Sequence, residues 1–136
     1  MTSLPRYALR SDAKGPQGEP LYLNADNFGK VTIQYSIDDT SSWYPFANRD
    51  NSVVFINVSS GNALTVTPDN SLTMSALGPA PNNHNSWTFA THAVRPQFDD
   101  DLNLNVRGNS YPAGTQVILY KWDNEPNTKW ELVRAN

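Results

Sequence analysis

The chain has 136 residues, enough for one domain that buries roughly two thirds of the surface its unfolded form exposes. Its 10 basic and 13 acidic residues leave a net charge of −3, and the basic residues are scattered, which argues against nucleic acid and anionic membrane as partners. Cysteine is absent, so disulfides, thiolate metal sites and cysteine nucleophiles are excluded, and a reducing compartment fits.

From the N-terminus, the stretch MTSLPRYALRSDAK lacks the apolar run of a signal peptide, and no later segment approaches the ~18 apolar residues of a membrane helix. A cytoplasmic protein with no membrane insertion is the expectation. The first alternating segment is Leu21-Tyr22-Leu23, followed after a turn by Val31-Thr32-Ile33, a polar loop, and Trp43-Tyr44-Pro45-Phe46. Next, Val54, Ile56 and Val58 share one face of a strand, and Leu64-Thr65-Val66, Leu72-Thr73-Met74 and Trp87-Thr88-Phe89-Ala90 repeat the earlier order. The last third runs Leu104-Asn105-Val106, Val117-Ile118-Leu119 and Trp130-Glu131-Leu132-Val133. Turn residues such as Lys14-Gly15-Pro16, Thr67-Pro68-Asp69-Asn70 and Arg107-Gly108-Asn109 separate the strands, and 10 prolines leave little room for helices.

Trp43, Trp87 and Trp130 lie 44 and then 43 residues apart. A period in that range marks units that cannot bury their apolar faces alone and must close on one another. Aligned on the tryptophans, the chain divides into units of about 7–49, 53–93 and 94–135 within one domain, 1–136, and the all-β pattern predicts a closed barrel of three pseudo-symmetric repeats. The tryptophans are expected in its core. Asn57-Val58-Ser59 reads as a glycosylation sequon that stays silent without secretion.

In the third unit, Leu104-Asn105-Val106, Tyr120, Asn127 and Thr128-Lys129-Trp130 resemble the sugar-binding repeat of ricin-B-type lectins: Leu-Asp-Val, an aromatic after an apolar strand, and Asn shortly before Gln-x-Trp. The segments Val54–Leu64 and Leu23-Asn24-Ala25 are similar to small cytoplasmic fungal agglutinins of this class. The resemblance implies a β-trefoil fold, galactose or N-acetylgalactosamine (GalNAc) on glycans and glycoproteins as partner, and a homodimer. It places Asn127 at the family's contact asparagine and Asn105 where the family has aspartate.

A sugar site needs an aromatic platform under the apolar C–H face and a few placed donors and acceptors around the hydroxyls. With Val117 and Leu119 pointing inward, Tyr120 points outward as such a platform, and Asn127 supplies a donor and an acceptor. A neutral Asn105 weakens the site by about 1–2 kcal/mol, because charge-assisted hydrogen bonds are stronger. Asp123 is positioned to restore an acceptor, and Gly108 to let a ligand approach the backbone. The first unit offers a second carbohydrate-binding set in Asn24, Tyr35 and Asp38, although Thr40 stands in place of the asparagine. The second unit, with Thr65, Leu77 and His84 at these places, reads as degenerate.

Catalysis finds no motif. His84 and His92 carry no zinc pattern, and Asp99-Asp100-Asp101 reads as a solvated turn whose adjacent acids point apart. No metal and no cofactor are expected. The function expected is a non-catalytic lectin. The alternative is a β-trefoil protease inhibitor presenting the loop Gly78–His84.

Overall fold

A computed structural model describes residues 4–136, leaving residues 1–3 of the expected domain outside the described part. Twelve strands fall four to a unit. They are β1 (Tyr7–Lys14), β2 (Pro20–Ala25), β3 (Val31–Gln34) and β4 (Trp43–Ala47); β5 (Val53–Asn57), β6 (Ala63–Val66), β7 (Leu72–Ser75) and β8 (Trp87–Ala90); β9 (Ala93–Pro96), β10 (Leu102–Val106), β11 (Val117–Lys121) and β12 (Trp130–Arg134). Single 3-10 turns at Asp39–Ser41 and Pro126–Thr128 precede Trp43 and Trp130.

Six strands form a closed ring. The long antiparallel pairs β1–β12, β4–β5 and β8–β9 alternate with short joints at Tyr7↔Trp43, at Val53↔Trp87, and at the Trp130 N–H donating to the His92 carbonyl (2.8 Å). The other six form the hairpins β2–β3, β6–β7 and β10–β11, which cap one end. Their tips meet where Ile33 N–H donates to the Thr115 carbonyl (3.0 Å) and Gly114 N–H to the Ile33 carbonyl (2.8 Å). A six-stranded barrel capped by three hairpins, one per repeat, is a β-trefoil.

The three tryptophans are fully buried and hold equivalent places. Each indole N–H donates to the carbonyl of the central leucine in its own unit's hairpin: Trp43 to Leu23 (3.1 Å), Trp87 to Leu64 (3.0 Å) and Trp130 to Leu104 (2.7 Å). Around them pack Leu9, Leu21, Ile33, Phe55, Val94 and Val117.

The opening strands β1 and β9 are additional to the three strands read for each unit, and β5 departs from its sequence reading. In β5 it is Phe55 and Asn57 that are buried alongside Val54, while Ile56 and Val58 are half-exposed. Phe55 turns into the core among the tryptophans, and Asn57 is held inside because its Nδ2 donates to the Thr40 carbonyl (2.9 Å) and its Oδ1 accepts from Ser59 and Ser60 N–H (3.1 and 3.2 Å). Buried and bonded on both sides of its amide, the sequon asparagine is closed to modification in the folded chain.

If the three tryptophans are energetically equivalent, Trp43→Phe, Trp87→Phe and Trp130→Phe each leave a buried leucine carbonyl without its donor and destabilise the protein by about 1–3 kcal/mol. Urea melts of the three variants should give losses that agree within about 1 kcal/mol; a loss confined to one variant contradicts the equivalence.

Candidate functional site

The loop between β10 and β11, residues 107–116, has ten residues, against five in each of the equivalent loops 26–30 and 67–71. The extra length carries Tyr111 to a cleft of about 560 Å³ between the third unit and the end of β1, lined also by Asp12, Lys14, Gly108, Asp123, Glu125 and Asn127. The Tyr111 hydroxyl donates to the Gly108 carbonyl (3.1 Å), and the Tyr35 hydroxyl donates to the Tyr111 carbonyl (3.3 Å) from below. The first bond fixes the ring and the second the backbone beneath it, on a loop that is otherwise mostly exposed. Gly108 has φ +85°, a left-handed backbone that favours glycine, and an added Cβ would meet nothing within 4 Å, so the turn rather than lack of space calls for the glycine.

Asn127 sits in the 3-10 turn before Trp130, and its Nδ2 donates to the Val106 carbonyl (2.9 Å). That bond fixes the amide plane and leaves Oδ1 with no protein donor among the described residues. Asp123 accepts from Glu125 N–H (3.0 Å), which orients one carboxylate oxygen and leaves the other open. Three carboxylates against one lysine make the cleft acidic. Burial first, and then the charges of Asp123 and Glu125, push the Tyr111 phenol above its ordinary range.

Of the third-unit residues named from sequence, Gly108, Asp123 and Asn127 therefore meet in one cleft, while Asn105 and Tyr120 lie outside its lining. Asn105 is buried, with Nδ2 donating to the Lys121 carbonyl (3.0 Å) and Oδ1 accepting from Asn103 Nδ2 (2.9 Å). Asn103, fully buried, in turn accepts from Val94 N–H (2.9 Å) and donates to the Thr128 carbonyl (2.7 Å). The two asparagines tie β10 to β9, to the end of β11 and to the 3-10 turn. Tyr120 is 62% exposed and faces outward as strand alternation requires, but the aromatic of the cleft is Tyr111. Two sequence signals mark Tyr111: an aromatic within a polar, glycine-flanked loop, and a hairpin loop twice the length of its counterparts.

In the first unit, Asn24 and Asp38 meet at the Thr40 hydroxyl, whose one proton is shared between Asn24 Oδ1 (2.6 Å) and Asp38 Oδ1 (2.7 Å), while Tyr35 turns to the Tyr111 loop. Asn24 is buried and accepts from Thr40 Oγ1 (2.6 Å). Tyr35 packs against the core and supports the Tyr111 loop. Asp38 caps the 3-10 turn at Asp39–Ser41, accepting from Thr40 N–H (3.0 Å) while its own N–H donates to Ser41 Oγ (2.9 Å). The hydrogen bond from the Thr40 hydroxyl is the main cause that holds the Asp38 carboxyl below its usual range.

The second unit's His84 stacks on Phe98, with ring centroids 4.8 Å apart and planes 9° from parallel. His92 lends its carbonyl to Trp130. Asp99, Asp100 and Asp101 do not diverge: Asp99 accepts from Asp101 N–H (3.0 Å), folding the run so that the three carboxylates lie within 4.8 Å of one another, two of them on exposed residues.

No protein-family model and no curated protein matches the chain. Solved structures match along nearly its whole length. The designed three-fold symmetric protein ThreeFoil is 20% identical with a TM-score of 0.76, covering 94% of this chain and 97% of its own. The C-half of an earthworm R-type lectin in complex with GalNAc is 14% identical with a TM-score of 0.73, covering 96% and 98%. The Rhizoctonia solani agglutinin is 19% identical with a TM-score of 0.73, covering 98% and 97%. Such likeness establishes the trefoil fold of this chain.

Asp38→Ala removes the cap and lowers stability by about 1 kcal/mol in thermal melts at pH 7. Because the folded carboxyl titrates below its unfolded value, the difference between wild type and variant is present above pH ~4 and disappears as pH falls through the folded value. A difference that persists unchanged in strong acid contradicts the capping role.

Proposed function

We propose that this β-trefoil is a cytoplasmic, non-catalytic lectin whose third-unit cleft takes galactose or GalNAc at the end of a glycan. The observation that carries the reading is the cleft itself: Tyr111, held at two points, offers an apolar ring beside the Asn127 and Asp123 oxygens and the Lys14 ammonium. An aromatic platform with a short rim of placed polar groups is the composition that sugar recognition requires. The earthworm structure of the same fold holds GalNAc, which supports the ligand class. Chains that pair as homodimers gain avidity, since linked weak sites exceed either one by about 10²–10⁴-fold.

A second reading, protease inhibition, draws on the exposure of every residue from Gly78 to His84, a projecting loop anchored where Val66 N–H donates to the His84 carbonyl (2.8 Å). Near-stoichiometric inhibition of papain or trypsin without retention on galactose resin decides for it.

Lactose should elute the protein from galactose resin, and Tyr111→Ala and Asn127→Ala should each weaken lactose binding at least tenfold by calorimetry. A wild-type protein that ignores galactosides on a glycan array and fails to agglutinate red cells refutes the lectin. The acidic lining adds a direction: sialyllactose should bind several-fold more weakly than lactose at low salt, with the gap narrowing as salt screens Asp12, Asp123 and Glu125.

A further inference from the structure

The fourth tryptophan falls outside the period of the other three. Trp122 follows β11, is half-buried, and takes no place in the core cluster. The indole N–H groups of Trp43, Trp87 and Trp130 each reach a leucine carbonyl, whereas that of Trp122 has no acceptor among the described residues. Over its ring lies Arg95 of β9, with Cζ 5.8 Å from the ring centroid, within reach of a cation–π contact. The Arg95 side chain makes no hydrogen bond and no ion pair among the described residues. Its Nε is the one buried side-chain polar atom among them without a partner. Buried donors are nearly always paired, so a guanidinium held by packing alone is an exception that asks for a reason.

Arg95, Lys121 and Trp122 share a cleft of about 450 Å³ with Asp100 and Asp101, and it has no lining residue in common with the third-unit cleft. The Asp99 carboxylate, accepting from Asp101 N–H (3.0 Å), gathers the acidic run so that its carboxylates lie within 4.8 Å of one another. Neither Asp100 nor Asp101 forms an ion pair with Arg95 or Lys121. The cleft is therefore neutral in sum but divided, two cations and two anions standing unpaired around an aromatic ring.

That arrangement is complementary to a ligand carrying both charges and an apolar group. A lone anion meets Asp100 and Asp101, and a lone cation meets Arg95 and Lys121, so either is opposed by like charge. We infer that this cleft binds a free α-amino acid with an apolar side chain. Its carboxylate lies on the terminal nitrogens of Arg95 with Lys121 adding charge, its ammonium lies against Asp100 and Asp101, and its side chain lies against Trp122. A guanidinium meets a carboxylate through two parallel bonds, a geometry that lysine does not offer. The site needs nothing from the lectin reading and stands or falls separately from it.

The test is an NMR titration of the full chain with L-phenylalanine, followed through the indole N–H resonances. The Trp122 resonance, assigned by its loss in Trp122→Phe, should shift together with the amides of residues 95, 100, 101 and 121, while the three core indoles stay in place. Hydrocinnamate, which lacks the ammonium, and phenethylamine, which lacks the carboxylate, should each bind about tenfold more weakly or worse. Arg95→Lys, and Asp100→Asn combined with Asp101→Asn, should each lower the affinity for phenylalanine by a similar factor. Since the Arg95 side chain bonds to nothing in the chain and Asp100 and Asp101 are exposed, thermal melts should show these variants folded as wild type. The two analogues probe the wild-type chain and need no variant. A Trp122 resonance that ignores phenylalanine overturns the site. So does either analogue binding as tightly as phenylalanine, or an affinity unchanged in Arg95→Lys or in the asparagine pair.

Discussion

The structure depends on one interaction made three times, the indole N–H of a buried tryptophan donating to a leucine carbonyl in its own hairpin. The bond solves two problems at once. A fully buried indole needs an acceptor, and a hairpin that caps a barrel needs something to hold it against the ring. The same tryptophan, through its backbone, joins the opening strand of its unit at Tyr7 or Val53 or, for Trp130, the residue just before that strand, His92. Each unit is thereby organised around one residue, and the long pairs between units, such as β4 with β5, then close the barrel.

Because the tryptophans carry the symmetry, the loops are free to differ, and the three equivalent inter-unit positions have three outcomes. One is roofed by a lengthened loop bearing Tyr111, one is edged by the bare turn of Phe28, and one is plugged by His84 on Phe98. The differences come from a few residues at turns. Their carboxylates mostly serve the backbone: Asp26, Asp38, Asp50, Asp99 and Asp123 each accept from the N–H two residues on. An acidic surface therefore reflects turn chemistry first, and in Asp26, Asp38, Asp99 and Asp123 alike the turn occupies Oδ1 alone.

The trefoil was legible from sequence because it rests on large residues at a long, regular period. Trp43, Trp87 and Trp130 set the register, and alternation placed the hairpin strands. The opening strands were less legible because β5 buries an aromatic and an asparagine on positions that a simple apolar count assigns to the other face. In the third unit, that Asn127, Gly108 and Asp123 fall around one cleft was legible because the repeat register aligns the hairpin turn with the loop before Trp130. Asn105 and Asn24 were less legible for a physical reason: an asparagine beside a hairpin leucine is as well suited to satisfying buried backbone carbonyls and neighbouring side chains as to holding a hydroxyl, and its partners here are of the first kind.

The neutral side chain at position 105 bears on how recognition can be distributed over this fold. A buried aspartate there would keep the Asn103 donor but would set its second oxygen against the Lys121 carbonyl, an acceptor that a carboxylate cannot bond. Asparagine can donate to that carbonyl and accept from Asn103 at once, so the strand interior is satisfied without charge. The side chain at 105 is thus spent on the fold, and the aromatic rings of Tyr111 and Phe28 stand instead on the loops that edge the hairpins, on turns fixed by bonds of Gly108 and Asp26. A scaffold held from within by the tryptophan–leucine bonds can vary such edges one turn at a time, because a change at an exposed turn leaves those core bonds untouched.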